Sequence, residues 1–446
     1  MPEPREKVIL KTKKLPAQNA SAAVQNGRIP RFSVPGGRKA GEPVMLRGKC
    51  ILLGVTGSIA AYKAASLASA LVKQHAEVHV LMTKNAVNFI NPITFETLTG
   101  HKCLVDTFDR NFEFSVEHVS LAKKADAVMI APASADIIGK IAGGIADDML
   151  TTTVMACTCP VYLSPAMNTR MFENPIVQDN LAKLARFGYR IISPAEGHLA
   201  CGDTGAGKMP EPQDLLQYLL YECAFPKDFA GKKILVTAGP TREAVDPVRF
   251  LSNYSTGKMG YALARIAAFR GADVTLVSGP VSLTPPPFVT TVPVTSAREM
   301  FDAVTSRAEA SDIIIKAAAV ADYRPAAPAS EKIKKQAGGD DLNLRLKRTD
   351  DILAWLGAHR RDGQFLCGFS METQNLLENS RAKLQKKNLD MIVANSLRTA
   401  GAGFGGDTNI VTLITPADET ALPLLSKEET AVKILDRIAK ALGLLA

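Results

Sequence analysis

The sequence predicts an α/β protein built from two doubly wound domains. Three observations predict it. The chain has 446 residues, more than one hydrophobic core normally organises. Short apolar runs of β type alternate with Gly- or Pro-marked turns and helical periodicity, the pattern of a parallel sheet covered on both faces. That alternation stops at ECAFPKDFAG (222–231) and then restarts, so this stretch reads as a linker between domains at 48–225 and 226–446.

Residues 1–47 form a separate element. The first 48 positions hold ten Lys and Arg against three Glu, which is +7 of the chain's net charge of +9. They are rich in Pro, Gly, Ala and Ser and lack apolar periodicity, so a disordered basic tail is expected. A solvated, dispensable extension is favoured over a membrane or RNA tether. The remaining chain has 43 basic against 41 acidic residues, which argues against a nucleic-acid binder. No apolar run approaches the ~18 residues of a membrane helix, and a secretory layout is lacking. Seven cysteines without a CxxC pair suit a reducing, cytoplasmic setting. Cys157 and Cys159 lie in an apolar run and are expected to be buried, inert thiols.

In the first domain CILLGV, EVHVLMT (77–83), DAVMIAP (126–132) and PVYLSP (160–165) read as buried strands. In the second, KKILVTAGP (232–240), DVTLVSGP (273–280), DIIIKAAAVAD (312–322), QFLCGFS (364–370), LDMIVANS (389–396) and NIVTLIT (409–415) do the same, and a helix over 427–444 closes the chain. The two sets of motifs differ, so the chain is a fusion and not an internal repeat.

Neither domain carries a dinucleotide fingerprint, which needs GxGxxG after the first strand and an acid about 20 residues later. The first offers Gly54-Val-Thr-Gly57-Ser58 with a second strand ending LMTK; the second offers Ala238-Gly239-Pro240-Thr241 with a second strand ending LVSGP. An NAD oxidoreductase is therefore set aside. A GxxGS turn before a helix suits a single phosphate, as in FMN.

Ligands of open α/β sheets bind beyond the carboxyl ends of the strands. There the first domain places Thr56-Gly57-Ser58, the run from Ala131 to Asp136 with Ser134, and Pro165-Ala166-Met167-Asn168. His118 opens a short helix before the strand ending at Pro132, and Cys201 lies in a glycine-rich loop suited to a lid. GVTGSIAAYK, EHVSLAKKAD, APASADIIGKIAGGIADDML, PAMNTRM and ACGDTGAGKM, in this order over about 48–220, resemble the flavin-dependent cysteine decarboxylases, specifically phosphopantothenoylcysteine decarboxylase. The resemblance implies a flavodoxin-like fold and FMN, bound by Gly57, Ser58 and Ser134. It makes His118 the catalytic base, Asn168 the group that binds the cysteinyl carboxylate with Met171 beside it, and Cys201 the acid that protonates the intermediate. APASAD stands where relatives often show APATAN.

In the second domain AGPTREAVDPVRFLSNYSTGKMGYALA (238–264) sets a polar loop between strand and helix, with Ser255, Thr256 and Gly257 able to cap that helix. EKIKK (331–335) offers lysines on a Pro-, Ala- and Gly-rich flap, suited to phosphoryl charge. GPTRE, DPVRFLSNYSTGKMG, VSGPVSL, AAAVADY, EKIKK and KKNLDMIVAN, over about 230–440, resemble phosphopantothenate–cysteine ligase of the bacterial, CTP-using kind. The resemblance implies a Rossmann-like fold and CTP as co-substrate, with Mg²⁺ on its triphosphate. Asn253 would stabilise an acyl-cytidylate and Lys332 would act in its formation or its reaction with cysteine. Arg249 would bind substrate, and Ala318, Asp322, Lys383 and Lys387 would line the nucleotide site. NYSTGKMG replaces the usual NxSSGKMG, and GFSMET replaces GFAAET at the nucleotide pocket.

The decarboxylase-then-ligase order matches the bifunctional family of bacterial coenzyme A biosynthesis. It implies the substrates 4′-phosphopantothenate, L-cysteine and CTP, and a homo-oligomer of trimeric flavin domains and dimeric ligase domains, up to a dodecamer. A non-catalytic flavoprotein scaffold is the competing reading; retention of His118, Asn168 and Cys201 weighs against it.

Overall fold

The computed structural model describes residues 45–107, 117–198, 202, 204–334, 342–372, 374–396, 403 and 405–444. Most of the basic tail therefore lies outside the described residues. Its expected end at residue 47 is too late. Met45 and Leu46 are buried, and their amides donate to the Gln74 side chain and backbone carbonyl at 3.1 Å each.

The first sheet starts with β1 (Cys50–Val55), buried throughout, as a strand covered on both faces must be. It continues with α1 (Ala61–Lys73), β2 (Glu77–Met82), α2 (Pro92–Thr99), α3 (Glu117–Lys124), β3 (Ala127–Ala133), α4 (Ala135–Gly143), α5 (Met149–Ala156), β4 (Val161–Pro165), α6 (Thr169–Phe172), α7 (Pro175–Arg186) and β5 (Arg190–Ile191). The strands are parallel in the order β2-β1-β3-β4-β5, the flavodoxin-like arrangement. A hairpin of β6 (Ala195–His198) and β7 (Thr204–Lys208) and then α8 (Pro212–Cys223) complete this half. Alternate residues of β1 serve opposite cores. Ile51, Leu53 and Val55 meet α1 and α8, whereas Cys50 and Leu52 meet α4, α5 and α7.

The second sheet is built from β8 (Lys233–Ala238), β9 (Arg242–Ala244), β10 (Phe250–Ser252), α9 (Lys258–Phe269), β11 (Asp273–Ser278), β12 (Val289–Pro293), α10 (Ala297–Ala308), β13 (Ile313–Lys316), β14 (Tyr323–Pro325), β15 (Leu346–Arg348), α11 (Ile352–Ala358), β16 (Phe365–Glu372), α12 (Leu376–Lys386), β17 (Met391–Ser396), β18 (Thr408–Asn409), β19 (Val411–Ile414), β20 (Glu419–Ala421), β21 (Leu425–Ser426) and α13 (Lys427–Ala441). The sheet order is β12-β11-β8-β13-β16-β17-β19-β20. Three features differ from expectation. NIVTLIT does form a strand, but β19 pairs antiparallel with β17 and β20, so this sheet is mixed. The run 312–322 is a strand only to Lys316, because the amides of Ala318 and Ala321 leave the ladder and donate to Thr237 Oγ1 (3.1 Å) and Thr241 Oγ1 (3.0 Å). The closing helix stops at Ala441; Ser426 and Glu429 start it with a reciprocal capping box.

The connecting stretch is packed, not a loose tether. Phe229 is fully buried, worth roughly 1.5–3 kcal/mol. Asp228 accepts from Arg270 Nε at 2.9 Å, and Arg270 also donates to Asp436 at 2.8 Å. Lys227 donates to the carbonyls of Tyr221 and Phe269 under the Tyr221 ring, and burial lowers its pKa to about 8. Phe288 stacks on Tyr221 and meets Tyr218 edge-on, at centroid distances of 4.2 and 5.1 Å. One apolar cluster thereby runs from α1 and α8 into α9 and α13.

Candidate active sites

At the carboxyl ends of the first sheet, Thr56 links β1 to β3. Its hydroxyl donates to Pro132 O at 2.8 Å and accepts from Ser134 N at 3.0 Å. Ser134 caps α4, its Oγ accepting from Ile137 N at 3.3 Å. Ser58 Oγ reaches Ala166 O at 3.5 Å, which ties the turn after β1 to the loop after β4. Asn168 ends that loop as the N-cap of α6, its Oδ1 accepting from Arg170 N at 2.9 Å. Gly57, Ser58, Ser134 and Asn168 are thus drawn together by a frame of neutral hydrogen bonds. Met171 follows one turn on and is 49% exposed. His118 sits half-buried in the first turn of α3. A helix returning to the next parallel strand starts at the ligand end of the sheet, so His118 lies on that side.

Cys201 lies outside the described residues, but the strands flanking its loop are firmly placed. Met167 N donates to Gly207 O at 3.1 Å. Gly207 has φ +139°, and a Cβ there would sit 2.3 Å from Met167 O, so only glycine lets the hairpin approach this closely. Lys63, buried on α1, donates to Met209 O (3.0 Å) and Glu211 (2.7 Å) and holds the chain after the hairpin.

Two local constraints shape the turn between β1 and α1. The turn into α1 ends at Ala60 with no acid in the first turn, and Ser58 serves its first amides, its Oγ accepting from Ala60 N at 3.3 Å and its carbonyl from Ala61 N at 3.0 Å. A Cβ on Gly57 would meet Asn85 Cβ at 2.7 Å, so the turn needs a residue without a side chain. Cys157 and Cys159 depart from expectation. They are half-buried, at the end of α5 and just beyond it, because α5 stops at Ala156 and exposes this edge. A hydrogen bond between the two raises the Cys157 thiol and lowers that of Cys159.

The second half carries a cleft of about 790 Å³ at the carboxyl ends of β8, β13, β16 and β17. It brings together Asn253, Ala318, Asp322, Lys383 and Lys387. The backbone frame comes from GPT and AAAVAD. Ala319 N donates to Gly239 O at 2.9 Å, and Asn253 Nδ2 donates to Ala319 O at 2.9 Å. Gly257 is the N-cap of α9, with φ +78° and no side-chain cap bond; Ser255 Oγ accepts from Gly257 N instead, at 3.3 Å. Of the three residues expected to cap this helix, Gly257 takes the N-cap position, where a Cβ would crowd Val281 and Gly239. Ser370 and Met371 of GFSMET lie in the cleft wall, so that departure falls within the pocket.

Sequence reasoning missed much of the positive charge here. Lys258, Lys316, Arg348 and Lys427 also line the cleft. Burial lowers Lys316 to about 8. Burial, then the charge of Lys258, lowers Lys427 to about 8. Lys258 donates to Asp407 at 2.6 Å, and Lys387 lies 2.8 Å from Asp351. Burial pushes the Asp351 carboxyl up, but its bonds to Lys387 and Ala354 N outweigh this and hold it below the usual range. The lysine ending the apolar run IIIK was the available signal for Lys316, since a strand's last residue faces the ligand end.

Two expected residues stand outside the cleft lining. The Arg249 guanidinium pairs with buried Asp246 and donates to Ile333 O at 2.9 Å, while Ile333 N donates to Asp246 at 3.1 Å. Arg249 therefore anchors the EKIKK segment. Lys332, next to Ile333, is exposed.

A flavoprotein family model matches residues 40–223, and a model of the DNA/pantothenate metabolism flavoprotein C-terminal domain matches residues 229–442. The fold and sites thus define a two-part flavoprotein of pantothenate metabolism. The coenzyme A biosynthesis bifunctional protein CoaBC of Bacillus subtilis (strain 168) is 48% identical over 401 residues, covering 89% of this chain and 98% of its own. That of Escherichia coli (strain K12) is 43% identical over 394 residues, 88% of this chain and 97% of its own. A crystal structure of the C-terminal domain of a CoaBC protein is 46% identical and covers 49% of this chain and 98% of that one, with a TM-score of 0.42. The chain belongs to the CoaBC family of coenzyme A biosynthesis bifunctional proteins. It is a phosphopantothenate–cysteine ligase in its C-terminal half and a phosphopantothenoylcysteine decarboxylase in its N-terminal half. Among the described residues, no helix is long and apolar enough to cross a membrane.

Proposed function

We propose that the ligase half activates 4′-phosphopantothenate with CTP. The substrate carboxylate attacks the α-phosphate, pyrophosphate leaves, and the amine of L-cysteine then displaces CMP from the acyl-cytidylate. The cationic cleft is the observation that carries this reading. Lys316, Lys383 and Lys387 stand at strand and helix ends where a triphosphate's charge would lie. Asn253, fixed on Ala319 O, stabilises the acyl-cytidylate; Lys332, carried on the segment that Arg249 anchors, acts in its formation or aminolysis. Ala318 and Asp322 hold the nucleotide. Mg²⁺ accompanies the triphosphate, held mainly by phosphates and water.

In the flavin half, Gly57, Ser58 and Ser134 hold FMN, which when bound supplies reversible two-electron oxidation of the cysteinyl side chain. Asn168 and Met171 position the substrate, with Asn168 on its carboxylate. His118 takes the proton released as the side chain is oxidised, and Cys201 returns one after carbon dioxide has left. Ile59 (60% exposed) and Tyr62 (62%) beside the Gly57 turn support contact between copies, as trimeric flavin domains require. Dimeric ligase domains and a cytoplasmic location complete the proposal.

Steady-state release of CMP, measured with CTP and with ATP on one preparation, tests the ligase assignment. Cysteine-dependent CMP is expected; its absence overturns the CTP reading. The same preparation should be yellow and convert 4′-phosphopantothenoylcysteine to 4′-phosphopantetheine.

A further inference from the structure

At the end of the first sheet opposite the flavin, Cys50, Glu77 and His79 come together. Cys50 and Glu77 are paired across the parallel strands β1 and β2. His79 is two residues beyond Glu77 and so shares its face. One ligand atom from each of the three lies within 4.8 Å of the others. A second imidazole lies beside this group, on the segment after α2, though outside the 4.8 Å set. Leu104 bridges to Leu81 beside β2, with Leu104 N donating to Val80 O at 2.9 Å, and this brings His101 alongside. The His101 ring lies 4.4 Å from the His79 ring, and its Nε2 is 3.8 Å from Glu77. His101 Nδ1 is buried with no hydrogen-bond partner. Neither assigned activity uses these groups.

We propose that Cys50, Glu77, His79 and His101 form a binding site for a zinc-class divalent ion. One thiol, two imidazoles and one carboxylate are the donor set of a closed tetrahedral site, and they disfavour Mg²⁺ or Ca²⁺, which prefer oxygen. Bonds of 2.0–2.3 Å would draw the ligand atoms to about 3.3–3.8 Å apart, so the three grouped side chains must contract slightly and the His101 ring must turn in to join them. Without metal, Glu77 is held by Lys124 and by His79 at 2.8 Å. The ion's two charges are met by one thiolate and one carboxylate, so the ammonium of Lys124 leaves Glu77 on binding.

The proton balance follows. Cys50 S–H gives up its proton to solvent as the S–metal bond forms; both imidazoles bind as neutral rings. Burial, with Glu77, Asp126 and Cys159 nearby and Lys124 opposing, pushes the Cys50 thiol up to about 11.

The test is equilibrium dialysis of chelator-stripped, full-length protein against Zn²⁺, with the bound metal coordination read by X-ray absorption. Wild type should bind one ion per chain in a shell of one sulfur and otherwise nitrogen or oxygen. Cys50→Ala and His79→Gln should each weaken binding by roughly tenfold or more. Cys201→Ser should bind as wild type does. Lys124→Met, which keeps every ligand and removes the competing ammonium, should bind at least as tightly. The amount of bound flavin retained, together with ligase turnover, shows that each variant is folded. Unchanged affinity in both Cys50→Ala and His79→Gln, weaker binding in Lys124→Met, or a shell with no sulfur or several, overturns the site.

Discussion

At the carboxyl ends of its strands the first sheet offers Thr56, Ser58 and Ser134, hydroxyls already bonded to backbone groups of the neighbouring loops. The corresponding edge of the second sheet offers Lys316, Lys383 and Lys387, with Lys258, Arg348 and Lys427 around them. The contrast matches what each half handles. On the proposed reading, a resident flavin sits in this frame of neutral hydrogen bonds. On the same reading, a consumed triphosphate brings charge and takes it away as pyrophosphate, so its site would need cations that tolerate being left without it. Asp351 and Asp407 serve that need by pairing Lys387 and Lys258.

The largest effect expected to sharpen this comparison is a clean separation of the two activities. Asn253→Ala should lower cysteine-dependent CMP release by about 100-fold or more while leaving decarboxylation of supplied 4′-phosphopantothenoylcysteine unchanged. Asn168→Ala should do the reverse. Cross-talk between the assays would break the division.

Next in size, Lys316→Met should raise the KM for nucleotide by about tenfold, the worth of a lost hydrogen bond to a charged group. The pH profile carries a further signature. Lys316 and Lys427 are charged below about 8 and neutral above it, so affinity for the triphosphate should fall as pH rises through that value. Lys316→Met should flatten the fall in KM measurements from acid to alkaline pH. Added salt should raise the nucleotide KM and leave flavin retention unaffected.

Gly207→Ala should destabilise the β6–β7 hairpin by about 1–3 kcal/mol, through φ +139° and the clash with Met167 O. Decarboxylase turnover should drop, with ligase turnover intact. The smallest effect tests the junction. Phe288→Leu should cost about 1 kcal/mol by removing its ring contacts with Tyr218 and Tyr221. Calorimetry should then show the two halves melting further apart, since they share one apolar cluster.

Much of the fold was readable because strands covered on both faces must be nearly all apolar. CILLGV declares itself in that way, whereas EVHVLM alternates half-buried Glu77 and His79 with buried valines before ending in a buried apolar run. NIVTLIT shows the limit. It has the composition of a strand, but nothing in its residues states that β19 runs antiparallel to β17. The linker is a second case. Phe229 and Asp228 look unremarkable in ECAFPKDFAG, and only their packing against Arg270 makes the stretch part of the body.

By itself, the sequence determined the class of each half, the order of the two activities and the residues expected at the strand ends. Periodicity and short motifs are local, so they survive being read without coordinates. The tertiary structure decided which of those residues share a space. It put Asn253, Asp322, Lys383 and Lys387 around one cleft, left Arg249 outside it on Asp246, and added Lys316 and Lys427. Charge and proton affinity in a cleft depend on burial and on partners distant in the chain, and these exist only once the sheet has brought them together.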